Sequence, residues 1–231
     1  MKRRELKYII DRDQESYFRE KIKGRVTPDQ FGLTVISSLY YDTPDRRLIT
    51  RSIERPSFKE KIRLRSYGPA TATSFAYLEL KRKAFGIVYK RRIQTNIPDA
   101  TRFFKGENGV FPDSQIAREI TYFRDFYNDL EPSCITIYDR TAFIEPDGDL
   151  RLTIDNSPRF RTDKLDLLYP TDGTPLLPDG HSILEIKILG SMPLWLADIL
   201  DEGKIYKNSF SKYGEAYKTQ LKSQISEAYY V

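Results

Sequence analysis

The sequence predicts an α+β protein built on a closed antiparallel β-barrel, a tunnel with a charged interior, with helices packed outside. Three observations lead there. Strand-like segments alternate a charged residue with an apolar one along most of the chain. Lys and Arg dominate the charged face of these segments. Several helical segments lie between them, and these must cover apolar sheet surface.

The elements follow in order. Residues 3–10 (RRELKYII) alternate and open the chain. Residues 13–23 place Tyr17, Phe18 and Ile22 at helical spacing. Residues 33–42 are rich in β-branched and aromatic residues and stop at Thr43-Pro44, and a short helix is expected over 45–54. A strand over 58–67 ends at the turn pair Gly68-Pro69, and strands over 75–84 and 87–96 flank Gly86 as a hairpin. A helix over 113–129 opens on Asp113-Ser114 and carries Ile116, Ile120, Phe123 and Tyr127 on one stripe. Strands over 134–145 and 150–156 form a second hairpin around Pro146 and Gly148. Residues 169–182 read as a Pro- and Gly-rich loop, and 182–189 as the last long strand. Helices are predicted over 193–202, with Pro193 at the start, and over 211–228, with Ser211 as a cap. No internal repeat or linker divides the chain, which is read as one domain over 1–231.

Parity sorts each strand into two faces. Lys59, Lys61, Arg63 and Arg65 oppose Ile62 and Leu64. Glu79, Lys81 and Lys83 oppose Leu78 and Leu80, while Lys90 and Arg92 share a face with Val88. Thr136, Tyr138 and Arg140 oppose Ile135 and Ile137. Arg151, Thr153 and Asp155 oppose Leu150, Leu152 and Ile154. Glu185 and Lys187 oppose Leu184, Ile186 and Ile188, and Arg3, Glu5 and Lys7 oppose Leu6 and Tyr8. In an ordinary sandwich such a face is simply solvated. Helices covering the apolar faces turn the charged ones inward, and a barrel of about eight strands leaves room for a slender ligand. Arg63, Arg65, Lys81, Lys90, Arg140 and Arg151 would repel one another in such a space, and Glu5, Glu79 and Glu185 do not neutralise them. The expected ligand is a phosphate chain, held by Arg forks and Lys point charges. Interior carboxylates then serve a divalent metal that bridges phosphate oxygens.

Composition narrows the classes. The 231 residues are 31% charged and 39% hydrophobic, a globular balance, and the net charge of +5 permits an anionic partner without demanding one. Cys134 is the only cysteine, so no intramolecular disulfide forms and a reducing compartment is expected. No secretory leader or apolar run of about 20 residues is visible, so a cytoplasmic protein is expected, with room for a separate membrane partner. No Gly-rich Walker loop is present, which argues against a P-loop kinase. His181, in the Pro/Gly-rich loop, reads as an exposed bystander, and Cys134 as a core residue.

The alternating charged strands, together with SLYYDTPD (38–45), KIRLR (61–65), LEIK (184–187) and SFSKYG (209–214), resemble the catalytic domain of the VTC (vacuolar transporter chaperone) family. The resemblance runs from about residue 3 to 220. That family lies within the triphosphate tunnel metalloenzymes. The resemblance implies a polyphosphate polymerase that moves the γ-phosphoryl group of ATP onto a growing chain and releases ADP. It implies phosphate binding by Lys7, Arg63, Arg65, Lys81, Lys90, Arg140, Arg151 and Lys212. It places Arg3, Tyr138, Lys187 and Ser211 beside the substrate, and Glu185 as a ligand of Mn²⁺ or Mg²⁺. Two positions depart from related patterns. The hydrolase and cyclase (CYTH) branch opens with Glu-x-Glu-x-Lys, where this chain reads Arg3-Arg4-Glu5-Leu6-Lys7. A lysine expected just before FSK is absent, since Asn208 and Ser209 stand there. The SPX domain and membrane helices of eukaryotic members have no counterpart in this sequence.

ATP, pyrophosphate and polyphosphate are the expected partners, and nucleic acid is not. Two alternatives stay open. One is a tripolyphosphatase or nucleoside triphosphatase of the same fold. The other is a non-catalytic polyphosphate- or RNA-binding protein in which Tyr67, Tyr77 and Tyr89 stack bases.

Overall fold

The computed structural model describes residues 3–54, 56–146 and 148–229, with side chains throughout except at Arg3 and 221–229. The architecture is mixed α+β on antiparallel strands. Two compact units form. Unit 1 takes residues up to Val35, Tyr138–Arg159 and Pro175–Ser211, and unit 2 takes Ile36–Ile137, Phe160–Thr174 and the chain from Lys212.

Unit 1 contains β1 (Arg3–Ile10), α1 (Arg12–Lys21), β2 (Thr27–Pro28), β10 (Ser182–Leu189), α5 (Leu194–Glu202) and β11 (Lys207–Asn208). Strands β7 (Glu131–Ile144) and β8 (Arg151–Arg161) begin or end in it. Its hydrogen-bonded order is β11-β1-β10-β8-β7, with β2 on β7. Helix α1 starts where Asp11 and Gln14 form a reciprocal capping box, with Asp11 Oδ1 accepting from the Gln14 N–H at 2.8 Å. The apolar faces of β1, β8 and β10 supply Tyr8, Ile10, Leu152, Ile154, Leu184 and Ile186 to one core. Phe18 and Ile22 from the first helical segment and Leu196, Ile199 and Leu200 from α5 close it. The helices therefore cover the apolar face in this unit, as the alternation requires.

Unit 2 contains β3 (Thr34–Asp42), α2 (Arg47–Ile53), β4 (Phe58–Tyr67), β5 (Ala76–Ala84), β6 (Ile87–Thr95), α3 (Ile97–Phe104), α4 (Gln115–Tyr127) and α6 (Lys212–Tyr229). Its order is β7-β3-β4-β5-β6. The β5–β6 loop has two residues, and both Phe85 (φ 47°) and Gly86 (φ 81°) are left-handed, as a type I′ hairpin turn requires. Helix α3 was not anticipated. Its signal is local: Asn96 Oδ1 accepts from the Asp99 N–H at 2.8 Å, and Pro98 sits in the first turn, directly behind a strand. The helix-facing side of the sheet is also less uniform than its alternation suggests. Glu60 and Arg82 pair there, and Tyr127 of α4 donates to Glu60 Oε2 at 2.9 Å.

Strand β8 runs past the expected end at 156 because Ser157 adopts a left-handed φ of 46°, after which pairing resumes. A two-residue strand, β9 (Thr174–Pro175), pairs with β8 inside the segment read as a loop. Among the described residues β6 has β5 as its one strand neighbour, and β11 has β1. The expected closed barrel is thus not present as a continuous hydrogen-bonded ring.

Asp42 is the buried keystone of unit 2, with no exposed surface. Its carboxylate accepts from the N–H groups of Thr43, Leu48 and Ile49 at 2.9, 2.8 and 3.0 Å, and from Tyr213 Oη at 2.7 Å. It thereby caps α2, whose own N-cap residue, Arg46, offers no side-chain acceptor. Replacing Asp42 with Ala strands these donors, and a loss of about 3 kcal/mol is expected in urea unfolding. A loss below about 1 kcal/mol would contradict this reading.

Candidate functional site

Two charged clusters form, one on each unit. In unit 2 the strand register stacks side chains into rows on one face of β4, β5 and β6. Lys59 lies opposite Lys83, and Lys61 opposite Lys81, which is opposite Lys90. Arg63 lies opposite Glu79, which is opposite Arg92, and Arg65 opposite Tyr77, which is opposite Gln94. Like charges directly across an antiparallel pair are destabilising. One carboxylate, Glu79, sits in the middle of these cations.

Glu79 is 2% exposed. Arg63 grips its Oε2 with Nε at 2.9 Å and Nη2 at 2.8 Å. Lys90 Nζ lies 2.7 Å from Oε1, Arg92 Nε 3.5 Å from it, and Arg65 Nη1 3.9 Å from Oε2. Burial alone would push this carboxyl up, but Arg63, Arg65 and Lys90 outweigh it and hold the pKa at about 2. Glu79 is therefore a fixed anion and a poor base. Arg63 Nη1 also donates to Tyr40 Oη at 2.9 Å, and Arg65 Nε to Ser38 Oγ at 3.0 Å. Burial pushes the Tyr40 phenol up, and Arg63, Lys61 and Arg65 bring it down to about 8. The Tyr40 ring stacks on Tyr213 at 4.4 Å, and Lys61 Nζ stands 5.6 Å from the Tyr213 centroid. Lys212 is the first residue of α6, beside Tyr213.

The cluster of unit 1 has a different balance. Lys7 lies opposite Glu185, which is opposite Thr153, and Glu5 opposite Lys187, which is opposite Arg151. Here each cation has a carboxylate. Arg140 forks onto Asp155 with Nε at 2.6 Å and Nη2 at 2.8 Å, and its Nη2 reaches Glu185 Oε2 at 3.6 Å. Lys187 Nζ is 2.9 Å from Glu185 Oε1, Lys7 Nζ 3.4 Å from Glu5, and Arg151 Nη2 3.3 Å from Asp29. Lys7 Nζ also donates to the Phe210 carbonyl at 3.2 Å. The expectation that the cations of this face lack local counter-charge is corrected here: Asp155 and Asp29 supply what the glutamates alone do not. Burial raises the Glu185 pKa, but Lys187, Lys7 and Arg140 outweigh it and hold the group well below the usual carboxylate range. Arg140, flanked by Tyr138, Asp155 and Glu185, is held well above its usual value despite its burial. Its guanidinium sits 5.0 Å from the Tyr138 ring centroid.

Among the described residues no group of three His, Cys, Asp or Glu side chains forms a metal cage. The donors around Glu185 nevertheless suit a hard divalent cation. Glu185 is ionised, and the buried Thr153 Oγ1 directly opposite it has no hydrogen-bond partner. An Mg²⁺-like ion bound by one or two protein oxygens and completed by phosphate oxygens needs no more.

Of the site residues expected from sequence, unit 2 gathers Arg63, Arg65, Lys81 and Lys90 on one face, and unit 1 gathers Lys7, Arg140, Arg151, Lys187, Tyr138 and Glu185. Arg3 pairs with Leu189 through its backbone, and its side chain lies outside the described part. Ser211 is exposed just before α6, and His181 lies on a loop where Nδ1 contacts the Asp179 carbonyl at 3.2 Å. The structure adds Tyr40, Arg92, Asp155 and Thr153. Parity puts Tyr40 on the face of Ser38, but only the register with Arg63 brings it to Glu79's partner.

The VTC domain family model matches residues 2–221. No protein of curated function matches the chain. Two solved structures of proteins named as putative adenylate or adenylyl cyclases are similar in fold. The one from Bacillus halodurans is 14% identical with a TM-score of 0.52, covering 91% of this chain and 96% of that one. The one from Hippeastrum, with a dominant triphosphatase activity, is 14% identical with a TM-score of 0.51, covering 92% and 93%. A chain of the Schizosaccharomyces pombe Mediator head module is similar at 13% identity and a TM-score of 0.51, covering 98% and 96%. These likenesses are of fold. The family match takes in nearly every residue of both clusters, and on it the chain belongs to the VTC domain family.

Proposed function

We propose that the protein is a metal-dependent polyphosphate polymerase, transferring the γ-phosphoryl group of ATP to the terminal oxygen of a polyphosphate chain. The observation that carries this reading is the stack of like charges in register, Lys61–Lys81–Lys90 beside Arg63–Glu79–Arg92. Such a face is suited to a run of phosphates.

In this reading Arg63, Arg65, Lys81, Lys90 and Lys212 hold phosphate oxygens in unit 2, and Lys7, Arg140, Arg151 and Lys187 do so in unit 1. Arg3, Tyr138 and Ser211 border the chain. Glu185, with the Thr153 hydroxyl, would hold Mn²⁺ or Mg²⁺, which when bound neutralises phosphate charge. Lys187 must then release the Glu185 oxygen that it now touches at 2.9 Å.

The acceptor oxygen attacks Pγ in line, the bond from Pγ to the β,γ-bridging oxygen breaks, and ADP leaves with that electron pair. The cations of unit 2 steady the charge that develops on the equatorial oxygens and bring two anions together. No step removes a proton, because the acceptor is already ionised. Hydrolysis would differ in using water as the acceptor, which a base would help to activate.

Incubation with ATP, Mn²⁺ and a pyrophosphate primer should give a ladder of polyphosphate lengths with matching ADP. Orthophosphate alone would move the protein to the hydrolases. Glu185→Gln should lower the metal-dependent rate by about 100-fold or more, and unchanged metal dependence would count against the assignment. Lys81→Met makes a sharper prediction. It removes the middle charge of the row Lys61–Lys81–Lys90, so activity should fall at least tenfold in a variant that stays folded. Full activity would reverse the reading of that row.

A further inference from the structure

We propose that Tyr67 and Tyr77 form a stacking subsite for the nucleobase of the phosphoryl donor, at one end of the cationic face of unit 2. This rests on reading that face as a nucleoside triphosphate site.

The face differs from end to end. At one end lie Tyr67 and the row Arg65, Tyr77 and Gln94. At the other lie the rows Lys61–Lys81–Lys90 and Lys59–Lys83, where the aromatic neighbour is the buried Tyr213, 5.6 Å from Lys61 Nζ. Rows on one face are about 7 Å apart along a strand. From Tyr77, a ligand running along β5 meets Glu79 and its cations first and the lysine row next. A molecule with a flat π-system at one end and a run of phosphates at the other has this order of groups.

The aromatic end is held in place. The Tyr67 and Tyr77 rings meet edge to face, with centroids 5.6 Å apart and planes at 80°. Arg92 Cζ lies 3.6 Å from the Tyr77 centroid and 5.5 Å from that of Tyr67, and its Nη2 donates to Tyr67 Oη at 3.2 Å. Arg92 in turn contacts Glu79, so the rings are tied to the phosphate-facing cations. Tyr67 nevertheless keeps 44% of its surface exposed. A tyrosine fixed by its neighbours, with an open face beside a phosphate-binding cluster, is a stacking platform. Gln94, directly opposite Tyr77, adds an amide donor and acceptor for a base edge. The arrangement also sets a direction: with the base on the tyrosines, the γ-phosphate points to the lysine end, and the growing chain lies over Lys61, Lys81 and Lys90.

The test compares two ligands that share a triphosphate and differ in the nucleoside. ATP and inorganic tripolyphosphate are titrated by calorimetry into the wild type, Tyr67→Ala and Tyr67→Phe. Tyr67→Ala should weaken ATP about tenfold and leave tripolyphosphate unchanged, and Tyr67→Phe should restore most of the ATP affinity. Unchanged tripolyphosphate binding also certifies that the variant is folded. Equal weakening of both ligands, or of neither, overturns the subsite. The polymerase assay separates the two claims. A wild type that makes no chains but shows ATP-selective loss in Tyr67→Ala keeps the base subsite and loses the polymerase. A wild type that makes chains, with ATP binding indifferent to Tyr67, does the reverse.

Discussion

The cationic face of unit 2 turns on one buried carboxylate ringed by cations. Glu79 holds Arg63, Lys90 and Arg92 within ion-pair distance, with Arg65 at the margin. It fixes the positions of those side chains on adjacent strands. Two residues further along, Lys61, Lys81 and Lys90 stand across from one another. Natural sheets avoid such rows because repulsion directly opposes strand pairing. The hairpin tolerates them here because its other face buries Ile62, Leu64, Leu78 and Leu80. Apolar burial of these side chains, each contributing roughly 1.5–3 kcal/mol, offsets the repulsion on the charged face.

Unit 1 solves the opposite problem. Its cations are matched by carboxylates, so its face is close to neutral. Glu185 is the center of that arrangement as Glu79 is of the other. The two glutamates share a depressed pKa but differ in what their neighbours leave available. Glu79 is surrounded by guanidinium and ammonium groups. Glu185 faces the buried Thr153 hydroxyl, which has no hydrogen-bond partner. The proposed division of labour, cations for phosphate and carboxylate for metal, rests on these environments rather than on residue type alone.

Much of this was legible in the sequence because period-two alternation is a strong signal. Parity alone put Arg63, Arg65, Lys81 and Lys90 on charged faces, and the need of α1 and α5 for apolar surface said which side the helices take. What parity does not carry is register. Nothing in the spacing of residues 33–42 says that Tyr40 meets Arg63, or that Asp155 takes the fork of Arg140. These pairings depend on how far each strand slides, and Asp29 reaches Arg151 from a segment with no alternation at all. Helix α3 was hidden for a different reason: its cap follows immediately on the end of β6, so the strand pattern runs into it without a break. Barrel closure was an extrapolation from charge, and hydrogen bonding along the sheet does not extend to it.

The central claim is that the cationic face of unit 2 is built for a phosphate chain and is relieved by binding one. Thermal unfolding with added tripolyphosphate, without metal and at constant ionic strength, tests it most directly. A ligand bound by the folded state alone raises the melting temperature in proportion to the logarithm of its concentration. The account predicts a clear, concentration-dependent rise with tripolyphosphate and little change with sulfate at matched ionic strength. An unchanged melting temperature, or the same small rise with both anions, would contradict it.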